Sequence, residues 1–335
     1  MSEKVNEPQD QMMQWITSKW IIKPLGVIVE LGIADLLREG PLSAEVLAKK
    51  CGAHGPTLYR LLRALASVGI FQETEGEVFG LTSLGRCLLA DALGPIARMF
   101  LSHWHDAAWN SLEYSLRTGK SGFEHAFGKP AFQWLEENPR ARAVMDQAQG
   151  VKAAGFARAV LAAYDFSFCQ TICDVGGGQG AFLIQLLKKY RHLNGMVADM
   201  PGAVRSAQKA AVAAGLSTRC QVVACDFFRE LPPACDGYFL VNVLHDWEDE
   251  PCRRILKNIA GAMNSNAKLW VVEYLLDSAP GFSVARLLDL EVLIMGGGRE
   301  RARDEYSSLF GSAGLGLSRV ISTDRGPAIM ECTAA

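Results

Sequence analysis

Very little in this chain points to a charged or membranous partner. Its 335 residues carry a net charge of only −2, too small for a long-range field that would draw in nucleic acid or anionic lipid. Long hydrophobic runs are missing, because the apolar stretch over residues 21–37 is broken by Lys23, Pro24, Glu30 and Asp35. No membrane span is expected. Residues 1–11 are polar and lack the apolar core of a signal peptide, so a cytoplasmic location is expected. The nine cysteines include no C-x-x-C pair, and their odd number argues against a complete disulfide framework. Cys173, Cys220 and Cys225 fall in strand-like apolar runs and read as reduced, packed thiols. Metal-ligand spacing is absent too: His103 and His105 lie beside Asp106, but i,i+2 side chains on a helix point apart. No metal is expected.

What the chain does have is an apolar strand ending in an acidic, glycine-packed turn, Asp174-Val175-Gly176-Gly177-Gly178-Gln179-Gly180. Glycines at 176, 178 and 180 allow positive φ and let backbone N–H groups approach a ligand that a Cβ would hold off. The spacing is not the G-x-G-x-x-G of dinucleotide folds. Since the turn holds an acid and no base, the inner part of its ligand is expected to be neutral or cationic, as in S-adenosylmethionine with its amino group and sulfonium.

Two further acids recur at strand ends. Asp199 follows the next short strand, near the ~20-residue offset at which a carboxylate meets ribose hydroxyls. Asp226 ends the strand after it and precedes Phe227 and Phe228, one of which would cover a purine face while Asp226 accepts from its amino group. Three acids then flank one crevice.

Up to residue 95 the chain reads as helical with one hairpin. Ser43 caps a helix whose inward face is Val46 and Leu47, Pro56 opens a second with leucines at helical spacing, and residues 71–79 form two strands around a turn. This is a winged helix-turn-helix. A DNA-binding regulator is one reading, but the second helix offers only Arg60 and Arg63, and Glu73, Glu75 and Glu77 on the wing would repel phosphate. A homodimer interface fits better: Trp15, Trp20, Ile21, Ile22, Val27, Ile28 and Val29 are too apolar to stand alone in water. Residues 96–165 are a helical connector rich in aromatics, expected to line an apolar substrate pocket. From 166 to 335, strands at 171–175, 196–198, 221–225, 237–244 and 268–275 alternate with helices. Residues 317–323 and 328–333 close them as a hairpin, giving a mainly parallel sheet with an antiparallel edge.

The fourth of these strands places His245 at the carboxyl edge of the sheet, where ligands of such folds bind. An imidazole there is suited to take a proton at neutral pH. Glu273, at the matching end of the fifth strand, would fix its tautomer through one ring nitrogen.

Taken together, the turn at 174–180, Asp226-Phe227-Phe228, His245-Asp246-Trp247 and Gly298-Arg299-Glu300-Arg301 resemble the small-molecule S-adenosylmethionine-dependent O-methyltransferases. That family includes the plant caffeate and isoflavone, animal hydroxyindole, and bacterial phenazine and polyketide enzymes. The resemblance covers nearly the full chain. It implies an α/β fold: a Rossmann-like class I methyltransferase domain beside an α-helical winged-helix dimerisation domain. It also implies methyl transfer to a hydroxyl of a small aromatic secondary metabolite, leaving S-adenosylhomocysteine. By the same resemblance His245 is the general base bracketed by Glu273 and Glu305, Asp199 binds the ribose, Asp226 and Phe227 the adenine, and Asp246 sits beside the cofactor. The chain departs from the family at Val241 and Asn242, where relatives commonly carry Lys or Arg. The full cofactor set is Asp174, Gly176, Gly178, Gly180, Asp199, Met200, Asp226, Phe227, Asn242, Asp246 and Met145. Trp104, His105, Gln149 and Met295 are candidates for the acceptor pocket. A repurposed enzyme of the same fold (decarboxylase, hydroxylase or pericyclase) and a nitrogen or sulfur methyltransferase are the alternatives.

Overall fold

The computed structural model describes residues 7–232, 235–324 and 326–335, and the chain divides into two compact units, Met1–Asp106 and Ala107–Ala335. The expected connector at 96–165 therefore falls partly in each.

In the first unit, strand β1 (Leu42–Ser43) pairs with β3 (Val78–Leu81), which pairs in turn with β2 (Phe71–Thr74), all antiparallel. Between β1 and β2 lie the helices Ala44–Cys51 and Gly55–Ser67. Ser43 Oγ accepts from Val46 N at 3.3 Å and so caps the first of them, while Gly52 ends it at φ 69°. Leu58, Leu62 and Leu65, spaced four and three apart, are the buried stripe of the second. Val46, read from sequence as inward, is exposed; Ala44, Leu47 and Ala48 face the core instead. The helices Pro8–Thr17 and Lys19–Glu30 leave Trp15 64% and Trp20 69% exposed.

The second unit is built on a seven-stranded sheet. Its strands are β4 (Thr171–Val175), β5 (Asn194–Asp199), β6 (Cys220–Ala224), β7 (Gly237–Val241), β8 (Lys268–Glu273), β11 (Leu315–Ile321) and β12 (Ala328–Ala334). Between β8 and β11 come the short β9 (Leu275–Leu276) and β10 (Arg301–Ala302), which pair with each other in parallel. The sheet order is β11-β12-β8-β7-β4-β5-β6. From β8 to β6 every neighbour is parallel, and β12 is antiparallel to both β8 and β11. Because parallel strands need both faces covered, they read as apolar runs: β7 is buried almost throughout, and so is β8.

The order places a topological switch at β4. The chain runs from β4 outward through β5 and β6, then crosses back to β7 on the other side of β4. Loops leaving the carboxyl ends of β4 and β7 thus separate in opposite directions and open a crevice between them, where ligands of such sheets bind. Strand β7 ends at Val241 rather than running to residue 244, since Asn242 takes the left-handed conformation at φ 52°. Asparagine tolerates that region better than most residues.

Candidate active site

The turn after β4 is held in left-handed geometry, with φ of 71° at Gly176, 58° at Gly178 and 74° at Gly180. A Cβ at Gly177 would press on the Asp174 carboxylate, and one at Gly176 would meet Val243. Gly180 then serves as N-cap of the helix Ala181–Lys189. Asp199, at the end of β5, ties the turn down by accepting from Gly178 N at 2.7 Å and from its neighbour Met200 N at 2.6 Å.

Asp174, Gly176, Gly177, Gly178, Asp199 and Met200 line a cavity of about 370 Å³, whose walls also include Phe227, Phe228 and Asn242; Gly180 lies behind it, at the helix start. Both Asp174 oxygens and both Asn242 amide atoms are buried without a hydrogen-bond partner. Burial, with the nearby Asp199 charge, pushes the Asp174 carboxyl up to about 8. Burial raises Asp199 as well, against the two backbone N–H groups that favour its charged form. Unpaired buried polar atoms of this kind are costly unless something completes them. A ligand bearing an ammonium and hydroxyls, with a flat ring for the phenylalanines, supplies the missing partners. The Asp226 carboxylate does not line the cavity; it accepts from Phe228 N at 3.1 Å and pairs with Arg229.

The helix Pro139–Ala163 contributes the facing wall. Met145, Gln149, Lys152 and Phe156, spaced four, three and four apart, present one helical face to the cavity. Of the residues expected in an acceptor pocket, Gln149 lies there; Met295 does not, and Trp104 and His105 belong to the first unit.

The cavity also reaches Asp246 and Trp247. Between Leu244 and Asp246 the chain makes one 3-10 turn, leaving His245 only 5% exposed. Its Nδ1 lies 2.7 Å from Glu300 Oε1 and 3.7 Å from Glu273 Oε2, and its Nε2 is 3.5 Å from Asp246 Oδ1. Glu273 Oε1 accepts from Val243 N at 3.0 Å and Leu244 N at 2.9 Å, which anchors the turn to the end of β8. Burial lowers the basicity of the imidazole, but Glu273 first, then Asp246 and Glu300, raise it to about 9. Burial raises Glu273 to about 7, against the pull of His245. Ligand atoms of these three residues fall within 4.8 Å of one another, a spacing a cation also accepts. The 2.7 Å contact, however, is that of a hydrogen bond, with a proton between nitrogen and oxygen.

Glu300 was not among the expected site residues, and Glu305 was. The structure separates them. Arg301 pairs with Leu275 in the β9–β10 ladder, two residues beyond Glu273. Glu300, one residue before it, is thereby carried to the end of β8. Glu305 sits in the first turn of the helix Arg303–Gly311, where it accepts from Ala302 N at 2.8 Å and pairs with Arg299. It does not bracket the ring. The same loop clamps the histidine turn. Arg299 N donates to His245 O at 2.9 Å, and the Arg301 guanidinium, 1% exposed, donates to Leu244 O, Trp247 O and Asp249. Gly298 packs so close to the His245 carbonyl that a Cβ would collide with it.

A parallel sheet with its crevice at the switch point and an acid-rich glycine turn at that crevice are the marks of a transferase that takes a nucleoside-bearing cofactor. Residues 109–316 match the O-methyltransferase domain and residues 13–91 the O-methyltransferase dimerisation domain. The chain belongs to the O-methyltransferase family, and its cofactor is S-adenosylmethionine. It is 38% identical over 312 residues to the mitomycin biosynthesis 6-O-methyltransferase of Streptomyces lavendulae, covering 92% of this chain and 89% of that one. Identity is 37% over 322 residues to the phenazine O-methyltransferase PhzM of Lysobacter antibioticus, covering 96% and 94%. An O-methyltransferase from neocarzinostatin biosynthesis, solved with S-adenosylmethionine and 2-hydroxy-5-methyl naphthoic acid, superposes with a TM-score of 0.78 at 31% identity, over 94% of this chain and 96% of that one. Among the described residues no helix is long and apolar enough to cross a membrane.

Proposed function

We propose that this O-methyltransferase acts on a hydroxyl of a small aromatic metabolite, with His245 as general base and Glu273 and Glu300 as positioning carboxylates. The observation that carries the reading is the 2.7 Å contact of His245 Nδ1 with Glu300, which commits that nitrogen to carrying the proton and leaves Nε2 as the working atom. When bound, the sulfonium of the cofactor supplies an electrophilic methyl group. Asp174 and Asn242 hold its polar amino-acid portion, Asp199 its ribose, and Phe227 or Phe228 its purine. Met145, Met200, Gly176 and Gly178 shape the walls, and Gly180 starts the helix behind them. Asp226 acts only by bracing Phe228.

The phenolic proton passes to His245 Nε2, which frees the oxygen to take the methyl group that a bound cofactor would give up as its carbon–sulfur bond breaks, leaving S-adenosylhomocysteine. The surrounding carboxylates let the ring hold its own proton up to about pH 9. Nε2 becomes an acceptor once Asp246, 3.5 Å away, is engaged by a cation other than the imidazolium. Glu300 then stabilises the charge that develops on the ring, while Glu273 fixes the height of the turn through Val243 and Leu244. No metal is needed for any of these steps. General-base help contributes ~10²–10⁴-fold and in-line positioning much of the rest.

The relatives suggest the acceptor class, since their names include phenazine and naphthoic acid chemistry. The exposed apolar face around Trp15 and Trp20 supports a homodimer formed through the first unit, and the composition supports a cytoplasmic protein. Incubation with methyl-labelled S-adenosylmethionine and a panel of phenols, phenazines and polyketide aromatics, read by mass spectrometry, tests the assignment. Label on an acceptor oxygen is expected. Label on nitrogen or carbon alone would refute it.

A further inference from the structure

The helix Pro139–Ala163 runs across the carboxyl ends of the sheet, and three contacts fix its course. A Cβ on Gly202, just after β5, would sit 3.9 Å from Arg142 Nη1. One on Gly150 would sit 3.7 Å from Gln179 Oε1, in the turn after β4. The Phe156 ring meets that of Tyr274, the residue after β8, with centroids 5.8 Å apart. From Gly150 to Phe156 the helix rises about 9 Å, which matches the two strand spacings of about 4.8 Å from β4 across β7 to β8. Lys152, a third of the way along, therefore stands over the crevice between β4 and β7, and it lines the cavity with Asp174 and Asn242.

Five acids line that cavity, Glu136, Asp146, Asp174, Asp199 and Asp246, against two cations. Arg142 is held by Asp146 at 2.8 Å, beside the loop after β5. Lys152 is half-buried and has no hydrogen-bond or ion-pair partner among the described residues. An ammonium so placed is costly unless a ligand completes it. The cofactor has the group required: its amino-acid end carries a carboxylate on the same carbon as the ammonium. Asp174 suits the ammonium and repels the carboxylate, and the other acids of the wall repel it too. We propose that Lys152 binds the cofactor's carboxylate and so makes the site select the intact amino-acid end over a decarboxylated one. This rests on the assignment of Asp174 and Asn242 to that end of the cofactor. The Lys152 ammonium donates to the carboxylate while Asp174 accepts from the amino group.

Calorimetric titration of the full chain with S-adenosylhomocysteine and with its decarboxylated analogue, which keeps the adenosine, the sulfur and the amino group, isolates the carboxylate. Wild-type protein is expected to bind S-adenosylhomocysteine at least about tenfold tighter than the analogue. Lys152→Met should weaken S-adenosylhomocysteine about tenfold and leave the analogue within about twofold, which also shows that the variant is folded. Lys152→Arg, which keeps the charge, should retain most of the preference. Three results overturn the proposal: no preference in wild type, a preference that survives in Lys152→Met, or an equal weakening of both compounds by that substitution. Asp174→Asn tests the underlying assignment separately, since it should weaken both compounds; if it weakens neither, Asp174 does not hold the amino group. Wild-type protein that bound neither compound would remove the cofactor assignment and the proposal together.

Discussion

Replacing Glu300 with glutamine preserves the shape of the side chain and lets an amide oxygen still accept from His245 Nδ1 at the 2.7 Å seen here. What it removes is the charge. Glu273, Asp246 and Glu300 together lift the imidazole from 6.5 to about 9 against its burial, and loss of one adjacent carboxylate typically costs the charged ring roughly 1–3 kcal/mol. Two consequences follow for kcat/KM measured with a phenolic acceptor. The acid limb, expected near pH 9 in the wild-type enzyme, should move down by about one to two pH units, because the ring now loses its proton more easily. The plateau should fall about tenfold to a hundredfold, since a weaker base does less for the departing proton. Glu305→Gln is the control: its carboxylate caps an exposed helix end, so the variant should lose only about 0.5–1 kcal/mol of stability and keep kcat within about twofold. If Glu300→Gln left both limb and plateau in place, or if Glu305→Gln were the damaging change, the assignment of Glu300 would be wrong.

Asp174→Asn should weaken S-adenosylhomocysteine binding by about 2–4 kcal/mol while raising the melting temperature of the ligand-free protein above pH 8. The sign follows from the raised carboxyl: with about 8 in the folded state and 3.8 in the unfolded chain, stability falls as pH rises through that window, and the amide has no such loss. Calorimetry at pH 7 in buffers of different ionisation enthalpy should show proton release when wild-type protein binds the cofactor; no buffer dependence would count against an ionised Asp174 in the complex. Gly298→Ala forces a methyl group onto the His245 carbonyl. It should cost about 1–3 kcal/mol of stability and reduce turnover while cofactor affinity holds, so wild-type turnover would show that the clamp is dispensable. Trp20→Glu, on the exposed apolar helix, should shift the protein to monomer by light scattering at micromolar concentration, and an unchanged mass would place the interface elsewhere.

How much of this was legible in the sequence depended on the range of the interaction concerned. The glycine turn, Asp174 and Asp199 belong to consecutive strand ends, and local period-2 and period-3.6 patterns locate strand ends well. His245 followed from the same logic. Glu300 did not, because a short parallel ladder between Leu275 and Arg301 carries it to the ring, and a two-residue strand has no periodicity to read. Its signal was present in Gly298-Arg299-Glu300-Arg301, four residues with no regular pattern but tightly packed roles. Glu305 entered through the resemblance alone, and its place here is the first turn of a helix. Lys152 was invisible for another reason: its helix is alanine-rich and nearly featureless around its circumference, so only the fold reveals which face meets the cavity. Val46 was misassigned because the buried stripe of this eight-residue helix runs through Ala44, Leu47 and Ala48, three and four residues apart from the first, which turns Val46 outward.

The most direct test of the account is single-turnover methyl transfer by His245→Ala at saturating cofactor and acceptor. The account predicts a fall of ~10²–10⁴-fold with cofactor affinity within about twofold of wild type. Undiminished transfer would contradict it.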